Sequence, residues 1–132
     1  MKSRDTLVRL KRFQVDDRRR RASQIELMIA EFGRMAGDLD REIAAEEGRT
    51  GISDPAHFAY STYARAARNR RDNLNHSAEE LRGQLEEAKR AFEEAQSELQ
   101  KAQSLEGREK NTDRPLEGLR PAESAVLGAA RA

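Results

Sequence analysis

From Val8 onward, steps of three and four residues alternate along the chain and put Val8, Lys11, Val15, Arg18, Ala22, Ile25, Ile29, Phe32, Ala36, Leu39 and Ile43 in one frame. Every frame position from Ala22 to Ile43 is apolar. That repeat belongs to a helix burying one narrow stripe against a partner helix. The pattern stops at Glu46-Glu47-Gly48, and Gly48 and Gly51 bracket a short polar link. Ser53-Asp54-Pro55 follows and reads as a helix start, with a capping side chain and proline at the first helical position. A second frame then runs Tyr60, Ala64, Ala67, Arg71, Leu74, Ala78, Leu81, Leu85, Ala88, Phe92, Ala95, Leu99 and Ala102. It fails near Gly107. The pattern predicts a helix over 4–47, a turn over 48–53 and a helix over 54–106. Pro115, Pro121 and glycines 107, 118 and 128 make 107–132 a mobile tail.

A link this short only reverses the chain locally, so the helices are expected to lie antiparallel as a coiled-coil hairpin, an all-α fold. At about 1.5 Å per residue they would be roughly 65 and 80 Å long. If facing seam positions have numbers summing to about 103, Leu39 meets Ala64, Ile25 meets Ala78, Ala22 meets Leu81 and Val15 meets Ala88, a large residue facing a small one in each layer. Charge favours the same arrangement. Residues 1–21 are net +6 and face 77–106 at net −4, while 22–47 at net −5 face 54–76 at net +2. Parallel helices would set like blocks side by side.

The composition fits a thin seam and not a thick core, with 36% hydrophobic, 5% aromatic and 37% charged residues. Acids and bases nearly cancel, to a net charge of +1, which separates this chain from disordered ones of equal charge density. There is no cysteine, so thiol chemistry and disulfides are excluded. No apolar run approaches a membrane span or a secretion signal, and a cytoplasmic protein is expected.

Catalysis has little to stand on. His57 and His76 are nineteen residues apart on one predicted helix, too far to share a metal. No phosphate loop or nucleophile motif occurs, so neither enzymatic activity nor a cofactor is expected. Binding chemistry is richer. Asp16-Asp17-Arg18-Arg19-Arg20-Arg21 places Arg18 toward the seam and leaves a basic collar, which could pair with Glu86 and Glu87 opposite or bind an acidic protein surface. Nucleic acid is not expected, because the charges nearly cancel and no aromatic platforms lie near the basic run. Phe58, Tyr60 and Tyr63 crowd the link. Tyr60 can cap the seam against Ile43, while Phe58 and Tyr63 point elsewhere as a candidate contact patch. Leu27, Met28 and Met35 lie outside the strict seam, where they either broaden the core or form an adaptable binding face.

The stretches KSRDTLVRLKRFQVDDRRRR, QIELMIAEFGRMAGDLDREIAAEE and GISDPAHFAYSTYARAARNRRDNL resemble the FliJ family of bacterial flagellar export proteins, particularly its shorter alphaproteobacterial form. The resemblance covers about residues 1–105 and is most specific in SDPAHFAYSTYA. It implies a component of the flagellar type III export apparatus that couples the export ATPase ring to the export gate, acts as a general export chaperone, or does both. Family members look like the central stalk of rotary ATP synthases. On this chain the resemblance implies an ATPase-binding surface of Leu7, Leu10, Arg12, Phe13, Arg18, Arg19, Arg20, Arg21, Phe92 and Leu99. It implies an export-gate-binding surface of Phe58, Tyr60 and Tyr63, facing the gate's cytoplasmic domain. Export chaperones are further partners it suggests, and the location it implies is cytoplasmic, peripheral at the flagellar basal body. The free chain is expected to be a monomer. The competing reading is a homodimeric coiled-coil scaffold or adaptor unrelated to export, but a continuous rod would have to run helix through Gly48, Gly51 and Pro55.

Overall fold

The computed structural model describes residues 2–112. Two long helices, α1 (Lys2–Thr50) and α2 (Thr62–Thr112), fold back on each other as an antiparallel coiled-coil hairpin. Among the described residues there is no strand. The chain divides into two compact units, Val15–Glu94 and a smaller one whose described residues are 2–14 and 95–112.

In the larger unit the predicted frame is the buried one. Ile25, Ala36, Leu39 and Ile43 of α1 are buried, as are Ala64, Ala67, Ala78, Leu81 and Ala88 of α2. Ile25 is only 1% exposed and clusters with Leu81 and Ala88, with Ala22, Ile29, Phe32 and Leu85 packed around them. A second cluster joins Leu39, Ile43 and Ala67, with Leu74 against it. Burying one such side chain contributes about 1.5–3 kcal/mol, so the bulky residues of α1, set against alanines and a few leucines of α2, hold this unit together. Polar seam residues snorkel. Arg71 reaches from a half-buried position to Asp40 and Asp72. In the smaller unit Val8, Ala95 and Ala102 are buried and Lys11 Nζ lies 2.9 Å from Glu98 Oε1.

The structure corrects several expectations. First, α2 starts at Thr62 and not at 54. Asp54 and Pro55 occupy the first two positions of a turn closed by the His57 N–H donating to the Asp54 carbonyl at 3.0 Å, and Asp54 Oδ1 accepts the Ala56 N–H. Aspartate followed by proline suits this turn as well as it suits a helix start. Ser61 is the actual cap, its Oγ accepting the Ala64 N–H at 3.1 Å. Second, the longer link shifts the pairing: Ile25 clusters with Leu81 and Ala88 and not with Ala78, and Asp40 bridges to Arg71. Third, Gly107 does not end α2. It is exposed, with open space where a Cβ would stand, and the helix runs through it to Thr112. The rest of the predicted tail, 113–132, lies outside the described residues.

α1 also outruns its predicted end. It continues through Gly48 to Thr50 and closes at Gly51, whose φ of 77° is the left-handed value a helix terminus uses, with its N–H donating to the Glu47 carbonyl at 2.8 Å.

Candidate functional site

The link between the helices is braced from both sides. Ser61 Oγ donates to Glu46 Oε2 at 2.6 Å, and Arg49 grips both oxygens of the same carboxylate through Nε and Nη2. The Arg49 fork first and the Ser61 bond second draw the Glu46 carboxyl down to about 2. Tyr60 OH donates to Glu47 Oε2 at 2.5 Å, and Arg65 lies over the Tyr60 ring while bonding the Pro55 carbonyl. Burial, followed by the bond to Glu47, raises the Tyr60 hydroxyl above its ordinary range. The His57 ring accepts the Ala59 N–H at Nδ1, which leaves the neutral imidazole's proton on Nε2.

These bonds hold up an exposed aromatic. Phe58 is 95% exposed and stacks on the His57 ring at 4.8 Å between centroids. Tyr63 is also exposed, and its hydroxyl donates to Glu42, the main reason its ionisation is pushed upward. Tyr60 differs from both. It is buried at 5% and closes the end of the seam, so the surface at the link consists of Phe58 and Tyr63 without it.

The residues for which the sequence resemblance implies ATPase binding fall into both units. In the larger one the basic run does not bridge to Glu86 and Glu87. Arg18 turns onto Asp17 and Arg19 onto Asp16, each at 2.9 Å. Adjacent and i, i+3 carboxylates are reached with less loss of side-chain freedom than partners across the seam. Arg19 also stands over the Phe92 ring, 5.3 Å from its centroid, so these two residues are brought together. Arg20 and Arg21 are exposed. In the smaller unit Leu10 and Phe13 are exposed three residues apart on α1, Arg12 is exposed beside them, and Leu7 and Leu99 are half-buried.

The seam periodicity does not group the positions that border it. Met35 and Glu42 line a shallow groove with Arg70 and Leu74, and Arg21 lines another with Gln84, Glu87, Ala88 and Ala91. Among the described residues no three His, Cys, Asp or Glu side chains converge in a way that could hold a metal ion. None of the described helices is long and apolar enough to cross a membrane. Comparison with protein-family models, with curated proteins and with solved structures gives no match.

Proposed function

We propose that this hairpin is a FliJ-type component of the flagellar type III export apparatus, coupling the export ATPase ring to the export gate, acting as a general export chaperone, or doing both. The observation that carries the reading is Phe58, a large apolar side chain presented almost wholly to water on a link that several hydrogen bonds keep from collapsing. Holding an exposed aromatic in one place favours a partner that covers it. The stretch that bears it, SDPAHFAYSTYA, is also where the likeness to the family is most specific. In this reading Phe58 and Tyr63 contact the cytoplasmic domain of the gate. Leu7, Leu10, Arg12, Phe13 and Leu99 of the smaller unit, and Arg18 to Arg21 with Phe92 of the larger, contact the ATPase.

Co-purification with the flagellar export ATPase of the same organism tests the reading, with an ATPase assay on the product. A stable complex with altered hexamerisation or turnover is the expected result. Absence of a complex, in a sample shown by circular dichroism to be helical, would overturn ATPase coupling and leave a general adaptor.

A further inference from the structure

The seam of the larger unit has two borders of different chemistry. Along one, ions bridge the helices, Asp40 to Arg71 and Glu47 to Arg68. Along the other, α1 presents Arg21, Met28, Met35 and Glu42 at seven-residue intervals, with Met28 45% and Met35 37% exposed. On α2 the matching row is Tyr63, Arg70, Ser77, Gln84 and Ala91, also at sevens. Both rows lie on one side: Glu42 accepts the Tyr63 hydroxyl, Met35 shares a groove with Arg70, and Arg21 shares one with Gln84 and Ala91.

The α1 row is complementary to its own reverse. Laid antiparallel on itself, it sets Arg21 against Glu42 and Met28 against Met35, each pair occurring twice. The midpoint of the row falls at Glu31 and Phe32, and that of the α2 row at Ser77. Arg19 over Phe92 on one side and Asp40 beside Arg71 on the other put these midpoints within about one helical turn of the same level. One two-fold axis therefore serves both rows, and on α2 it matches Arg70 with Gln84 and Tyr63 with Ala91, opposing no like charges. Glu31, nearest the axis, is already held by its own Arg34. Arg21 has no ion-pair partner among the described residues, whereas Arg18 and Arg19 each have one.

We propose that this border is a homodimer interface, through which two hairpins pack antiparallel about a two-fold axis at Glu31 with methionines at the centre and Arg21–Glu42 pairs on either side. A second copy is the occupant because the row complements itself under reversal, as an isologous contact requires and a foreign helix would not. Methionine suits a contact that must fill an irregular groove. The proposal replaces the monomer expected from the sequence and is independent of any role in export.

Sedimentation equilibrium of the full chain, from micromolar to several hundred micromolar, tests it. The parent is expected to dimerise reversibly, and Met28→Glu with Met35→Glu to sediment as a monomer of unchanged helicity. Arg21→Glu should weaken the dimer at least tenfold, and adding Glu42→Arg to it should restore affinity to within about threefold, a recovery that loss of the Tyr63 bond could not produce. The chain has no cysteine, so Glu31→Cys under mild oxidation should cross-link two copies while Glu26→Cys, on the ion-bridged side, should not. A monomer throughout the range, a dimer that survives the double methionine variant, or cross-linking by Glu26→Cys instead of Glu31→Cys would each overturn the proposal.

Discussion

The Ser61 hydroxyl joins the end of one helix to the start of the other, accepting the Ala64 N–H at 3.1 Å while donating to Glu46 Oε2 at 2.6 Å. Removing it unties the cap and takes a donor from Glu46 in one step. Ser61→Ala is expected to destabilise the hairpin by about 1–2 kcal/mol in urea unfolding. Ser53→Ala, at the position the sequence offers as a start, should stay within about 0.5 kcal/mol of the parent.

Glu46 also sets an acid limit. Its carboxyl sits at about 2 in the folded chain against an ordinary 4.5, so through that interval the unfolded chain binds more protons. The stabilisation is complete above the ordinary value and is lost as pH falls through the folded one. Urea midpoints measured across this acid range should fall less steeply for Glu46→Gln than for the parent. Arg49→Met should move the Glu46 titration upward in an NMR experiment.

Ile25 and Leu27 are two residues apart and should respond in opposite ways. Ile25 is 1% exposed within the central cluster, Leu27 70% exposed outside it. Ile25→Ala is expected to cost about 2–5 kcal/mol. Leu27→Ala should cost less than about 0.5 kcal/mol in the same unfolding experiment.

At the link, Phe58→Ala combined with Tyr63→Ala should leave helicity nearly unchanged and weaken binding to the gate's cytoplasmic domain by tenfold or more, as expected when an exposed aromatic anchor worth about 1.4 kcal/mol or above is lost. Equal affinity of mutant and parent in a titration would remove the link from the proposed gate contact.

Reversing Arg19, Arg20 and Arg21 to Glu should disrupt the proposed contact with the export ATPase in pull-downs while circular dichroism changes little. Of these three, the described structure pairs only Arg19, with Asp16 and the Phe92 ring, so folding has little to lose.

Much of this fold was legible because a heptad seam is written in every turn of the helices. Even Arg18 and Arg71, charged residues assigned to it, are half-buried there. The start of α2 was not legible, since Asp54 and Pro55 serve a turn and a helix start equally well, and only the fold decides between them. The register followed that error, because the length of a link fixes which residues meet across it. Phe58 and Tyr63 could be picked out as unexplained aromatics, but the burial of Tyr60 and the fork of Arg49 on Glu46 needed the folded link. The border row of Arg21, Met28, Met35 and Glu42 stayed hidden for another reason. A single helix does not say which of its two bordering rows faces the open groove.

The unequal seam also makes the two helices unequal when they part. α1 carries Ile25, Leu39 and Ile43 into the larger unit, whereas α2 meets them largely with alanine at 64, 67, 78 and 88. Opening there would bare one adhesive strip and one comparatively inert one. An invading helix needs small side chains at those positions, with leucines at the places of Leu74, Leu81 and Leu85, to take the place of α2.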